Sequence, residues 1–191
     1  MKRNEFLNRL SLGTGAAVLL PSVSLLQGCE YKPIARTALT EADIPLLDSI
    51  GETIIPTTTS SPGAKATNIG EYILLMYKDC MPVEEQAVLV AGINALDAYS
   101  ANFFEGSFIK ADATQKLKLM EDLQAEAVAY NLKMEGSEEP LPHYFDMLKG
   151  MTISGYFSSE IGMTQAREYL PLPGKFEACI PYNEGGKPWA M

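Results

Sequence analysis

Apolar residues recur every three or four positions along most of this chain, and no run alternates convincingly as a strand. The first such face is Ile44, Leu47, Ile50 and Ile54. Thr40 can cap it, with Asp43 three residues on in a capping-box arrangement, and Pro56 stops it. The stretch "TTTSSPGAKATN" then reads as a loop, with Pro62-Gly63 a turn. A second helix starts near Thr67 or Asn68. Ile69, Ile73, Met76 and Cys80 line one of its faces, which favours burial of Cys80, and Tyr72 and Tyr77 flank that face. Pro82 suits the first turn of a third helix, with Glu84 and Glu85 near its positive end. Leu89, Ile93, Leu96, Tyr99 and Phe103 give its face, and it runs to about Phe104. In the fourth helix Asp112 and Gln115 form the opening box, Leu117, Met120, Leu123, Ala127, Tyr130 and Met134 the stripe, and Gly136 the end. A fifth helix is expected from about Pro142 to Ser154, and a short sixth segment near Met163–Tyr169. The pattern predicts an all-α fold: about five helices around one core, then an irregular, aromatic-rich C-terminal extension.

The first 28 residues follow a different logic. Lys2, Arg3 and Arg9 make a basic start, the apolar stretch "LSLGTGAAVLLPSVSLLQG" follows, and Cys29 comes directly after it. The sequence "LLQGC" resembles a bacterial lipoprotein box, with Gln27 where a smaller residue is usual. On this reading residues 1–28 are a signal peptide, Cys29 becomes the acylated N-terminus, residues 29–39 are a tether and residues 40–191 the helical domain. The stretch is long enough for a retained membrane helix, but Gly13, Gly15 and Pro21 weaken that alternative. Arg3, Asn4, Glu5, Phe6 and Leu7 also resemble a twin-arginine export signal in which one arginine has become Asn4. Both the twin-arginine route and general secretion stay open, as do the inner and outer membranes as destinations.

Charge narrows the partners. The chain carries a net −9, and removing three basic residues and one acid with residues 1–28 takes the mature form to −11. That argues against nucleic acid, whose phosphates must be neutralised by Lys and Arg, and against electrostatic docking on anionic lipid. Membrane attachment would rest on the lipid anchor. With Cys29 acylated, Cys80 and Cys179 remain as a disulfide candidate in an oxidising compartment. Two buried free thiols, or a bond from Cys179 to another chain, fit the spacing equally well.

Catalytic means are few. The only histidine is His143, at a helix start, where a surface or capping role is the ordinary one. The acidic pairs Glu84-Glu85, Glu121-Asp122 and Glu138-Glu139 lie where solvent would face them. No nucleotide-binding glycine motif and no haem-attachment motif is present, so no catalytic, cofactor or metal residue is assigned on this chain. The C-terminal stretch instead carries Phe176, Cys179, Pro181, Tyr182 and Trp189 without a helical face to hold them. Aromatics of this kind suit a protein interface, and these five residues are the candidate partner surface.

Two stretches carry a family resemblance: "IGETIIPTTTSSPGAKATNIGEYI", and "GYFSSEIG" followed by "PGKFEACIP". In this order, behind an exported N-terminus, they resemble the gluconate 2-dehydrogenase subunit 3 family, over about Leu39 to Pro181. The resemblance implies a non-catalytic small subunit of a periplasmic dehydrogenase acting on sugars, sugar acids or glycosides. The large partner would be an FAD-dependent flavoprotein of the glucose-methanol-choline (GMC) type, joined in many complexes by a cytochrome c subunit carrying haem c. The small subunit would aid folding and export of the flavoprotein and tether it to the membrane. The alternative is a free-standing helical envelope lipoprotein that binds a ligand or acts as a scaffold.

Overall fold

The computed structural model describes residues 32–104, 106–138, 140–172, 174, 179, 181 and 184–190. Five α-helices make up the body: α1 (Ile44–Ile54), α2 (Ile69–Asp79), α3 (Val83–Phe104), α4 (Ala113–Met134) and α5 (Tyr144–Ser158). A one-turn π-helix, Gly162–Ala166, follows α5 and leads into a two-residue strand, β1 (Glu168–Tyr169). This strand pairs in parallel with β2 (Trp189–Ala190), in the register Glu168 with Trp189 and Tyr169 with Ala190. The all-α expectation holds, with this short ribbon added in the C-terminal extension.

Local chemistry sets the helix ends. The Asp43 carboxylate accepts from the Thr40 backbone N–H at 2.9 Å and from its hydroxyl at 3.1 Å, so the turn before α1 is closed by the expected pair. At α4 the box is fully reciprocal: Gln115 N–H donates to Asp112 Oδ1 at 2.9 Å, and Asp112 N–H donates to Gln115 Oε1 at 3.1 Å. Gly136, just beyond that helix, has φ +90°, a conformation open to glycine at no steric cost.

The core gathers one stripe from each helix. Leu47 and Ile50 of α1, Ile69 and Ile73 of α2, Leu89 and Ile93 of α3, Ala127 of α4 and Leu148 of α5 are fully excluded from solvent. By length and composition α3 could cross a bilayer, and here one of its faces, Leu89, Val90, Ile93 and Leu96, packs in the core.

Four expected positions move. In α3 the buried line turns through Asp97 and Ser100, while Phe103 is 66 % exposed and stacks on Tyr99 with ring centroids 4.2 Å apart. Ser100 can sit inside because its hydroxyl donates to the Leu96 carbonyl one turn back, at 2.9 Å. In α4 the stripe opens at Leu119, and Leu117 is half exposed. Cys80 is exposed: α2 ends at Asp79, and the chain turns away before Cys80 can extend the apolar face. Finally, α5 continues four residues beyond Ser154, which brings Tyr156 into the core.

Candidate functional site

The first motif of the family resemblance and the "GYFSSEIG" part of the second meet in space, while most of "PGKFEACIP" lies outside the described residues. Gly155 of "GYFSSEIG" lies against Ile69 and Tyr72 of "NIGEYI"; a Cβ at Gly155 would stand 2.5 Å from the Tyr72 ring and 2.7 Å from Ile69 Cδ1. Next to it, the buried Tyr156 hydroxyl donates to the Pro62 carbonyl at 2.6 Å, in the middle of the first motif's loop. Glu52 organises the same loop. Its carboxylate accepts from the Thr57 N–H at 2.9 Å, the Thr57 hydroxyl at 2.7 Å and the Lys65 N–H at 3.0 Å. These motif residues therefore form a joint between α1, α2 and α5. What they do is hold the loop's backbone and let two helices approach closely.

A second constellation escaped the sequence reading. Arg36 lies in the segment read as a tether, yet its side chain is only 5 % exposed. Its Nε donates to Asp43 Oδ1 at 2.5 Å and its Nη1 to Asp97 Oδ2 at 2.7 Å. The Asn94 side chain grips the Arg36 backbone from both sides, accepting from its N–H at 3.0 Å and donating to its carbonyl at 2.9 Å. Leu39 completes the docking, 2 % exposed. Burial works against the charge on Arg36, but the hydrogen bonds to Asp43 and Asp97 outweigh it and push the guanidinium above its ordinary value. Burial likewise opposes ionisation of Asp43, and the hydrogen bonds from Arg36 and Thr40 overcome it, holding this carboxyl below the usual range. The signal for this cluster was Asp97, a charged residue on the core side of an apolar helix, which calls for a buried partner.

His143 is a cap. Its Nδ1 accepts from the Phe145 N–H at 3.3 Å, at the start of α5. It is buried rather than superficial, between the rings of Tyr130 and Tyr144, with Nε2 3.8 Å from Glu126. Burial, aided by Glu126, pushes the neighbouring Tyr144 hydroxyl far up, so it stays protonated. Among the described residues no group of three or more His, Cys, Asp or Glu side chains is placed to hold a metal ion. Of the acidic pairs, Glu84, Glu121, Asp122 and Glu138 are exposed, Glu85 is half-buried, and Glu139 lies outside the described residues. A cavity of about 630 Å³ between α1 and α4 is lined by Glu52, Lys65 and Lys116 among others, but Glu52 is already committed to the loop.

The C-terminal extension is tied to the end of α5 and open outward. The Arg167 guanidinium sits 4.4 Å from the centre of the Phe157 ring, the Lys187 ammonium donates to the Gln165 carbonyl, and the Glu168 N–H donates to the Pro188 carbonyl at 2.9 Å. On this ribbon and just after β1, Tyr169, Leu170 and Trp189 are about half exposed and Leu172 is 85 % exposed. Cys179 and Pro181 are exposed, and Cys179, like Cys80, is a free thiol. Phe176 and Tyr182 of the candidate partner surface, and the lipidation candidate Cys29, lie outside the described residues. The sequence reading passed over Tyr169, Leu170 and Leu172 as members of this patch, since their exposure depends on how the ribbon turns off α5.

The family model for gluconate 2-dehydrogenase subunit 3 matches residues 41–174, and the chain belongs to that family. The match includes all five helices and the motif joint, and ends before Cys179, Pro181, Tyr182 and Trp189. No curated protein and no solved structure matches the chain.

Proposed function

We propose that this member of the gluconate 2-dehydrogenase subunit 3 family is the non-catalytic small subunit of an exported, FAD-dependent dehydrogenase complex. Its large partner is a GMC-type flavoprotein that oxidises a sugar, sugar acid or glycoside, and the FAD supplies hydride chemistry in that partner. The small subunit aids folding and export of the flavoprotein and tethers it to the periplasmic side of a membrane through acylated Cys29. A cytochrome c subunit with haem c would take the electrons onward.

The observation that supports this reading is the apolar ribbon of Tyr169, Leu170, Leu172 and Trp189, held out from a helical body. Such a patch, half-exposed and aromatic, is the composition of an interface core rather than of a free surface. The net charge of the mature form fits a role in which protein contacts and an acyl anchor do the binding.

Affinity purification of the full chain from its native membrane tests the proposal. A large subunit carrying a flavin absorbance should co-purify. Recovery of this chain alone, from cells that make it at normal levels, would sink the proposal in favour of a free-standing lipoprotein.

A further inference from the structure

The cavity between α1 and α4 has a chemistry of its own. We infer that it is a binding site for a small organic anion, a carboxylate carried on an apolar body. Lys65 and Lys116 take the carboxylate, and Pro45, Pro56, Ile109 and Leu117 take the body. The site is separate from the C-terminal ribbon, and the inference stands independently of the flavoprotein reading.

Charge carries the first half of the argument. In a chain with 24 acidic residues against 15 Lys and Arg, two ammonium groups without a carboxylate partner share this cavity. The acids that line it are engaged elsewhere. Glu52 accepts from Thr57 and from the Lys65 N–H, and Asp48 Oδ1 accepts from the Gly70 N–H at 2.8 Å. Among the described residues, no carboxylate lies within ion-pairing distance of Lys65 or Lys116. Lys65 enters from the 3-10 turn Ala64–Thr67. Lys116 stands in the first turn of α4, where the positive end of the helix disfavours a cation. Its Nζ is held in place: it donates to the Ile109 carbonyl at 3.0 Å and lies 5.6 Å from the centre of the Phe108 ring. An ammonium has three N–H groups, so two remain for a ligand. Burial, then the charge of Lys65, pushes the Lys116 ammonium below its ordinary value, and a bound carboxylate would offset that repulsion.

The wall supplies the second half. Ile109 and Leu117 are about half exposed there, and Pro45 and Pro56 add apolar surface beside them. A bare inorganic anion would leave that surface wet. The volume of about 630 Å³ falls among small-molecule pockets, which span about 300–1,000 Å³ and join apolar walls to a few convergent polar groups.

Equilibrium dialysis of the full chain in lipid nanodiscs, with empty nanodiscs as the blank, tests the site. The probe is phenylbutyrate, compared with phenylbutanol, which keeps the body and loses the charge, and with acetate, which keeps the charge and loses the body. Phenylbutyrate should bind saturably with Kd of about 1 mM or tighter, and both comparison compounds at least about ten-fold more weakly. Lys65→Met and Lys116→Met should each weaken phenylbutyrate about ten-fold, as loss of a charged hydrogen-bond donor does, while Lys116→Arg retains binding. Lys118→Met removes the same charge from an exposed position paired with Asp122 and should change nothing. Circular dichroism melts identify any variant that fails to fold, and Leu117→Asp, at a half-exposed position, then serves as the second block on the site. No saturable phenylbutyrate binding, equal binding of phenylbutanol or of acetate, or equal losses in Lys118→Met and the two cavity variants overturns the inference.

Discussion

Replacing Arg36 by methionine isolates the energetics of the cluster it forms with Asp43 and Asp97. The substitution keeps an unbranched chain of similar girth and removes the cation shared by Asp43 and Asp97, whose side chains are 8 % and 2 % exposed. Removing one partner of a buried ion pair costs about 3–5 kcal/mol, because the remaining charge stays out of water. Here two carboxylates lose the same cation, but Asp43 keeps its two donors from Thr40, so about 3–5 kcal/mol serves for the pair. For a domain of this size that lowers Tm by about 6–20 °C, measured by the helical circular dichroism signal. Adding Asp43→Asn and Asp97→Asn to Arg36→Met should recover more than half of the loss. The pH dependence provides a second check. In the wild type the Asp43 pKa is lowered, so its contribution is present above the ordinary carboxylate value near 4 and is lost as pH falls through the lowered folded value. In Arg36→Met the Asp43 carboxylate loses the cation that favours its ionised form, so the deficit relative to wild type should shrink as pH falls from 7 toward 4. A loss under about 1 kcal/mol at pH 7, with no such convergence, would show that the cluster behaves as a surface ion pair and refute the reasoning.

Gly155→Ala drives a methyl to 2.5 Å from the rigid Tyr72 ring, and should cost about 1–3 kcal/mol in urea melts; a neutral result would mean α2 and α5 are not in close contact there. Trp189→Ala should weaken assembly with the flavoprotein by about 2 kcal/mol, roughly thirty-fold, in a binding titration. Because Trp189 is half exposed, the same variant should melt within about 0.5 kcal/mol of wild type, and equal losses in both assays would make its role structural. Cys29→Ser should move the protein from the membrane to the soluble fraction on cell fractionation, and continued retention would point to an uncleaved helix.

The helices, their caps and the all-α class were legible because each is written within a few residues. A capping box joins positions three apart, and an apolar stripe repeats every three or four, so Asp112–Gln115 and Leu123–Ala127 can be read off directly. The reading failed where two registers of one stripe were nearly equal. Leu117 and Leu119 compete in α4, as do Tyr99 and Ser100 in α3, and only the neighbouring helices choose between them. His143 as a cap was legible for the same local reason; its burial was not, because Tyr130 reaches it from another helix.

By itself, then, the sequence determined the helices, their caps and the family, all of which follow from spacing and residue type along the chain. The tertiary structure alone decided what Arg36 does, since its partner Asp97 is 61 residues away and no local pattern pairs them. It also decided that "GYFSSEIG" joins the first family motif, and that Tyr169, Leu170 and Leu172 stand with Trp189 on an outward ribbon. Contacts of that range depend on how whole helices pack, and the free energy that selects them is shared over the core rather than carried by any one stretch of residues.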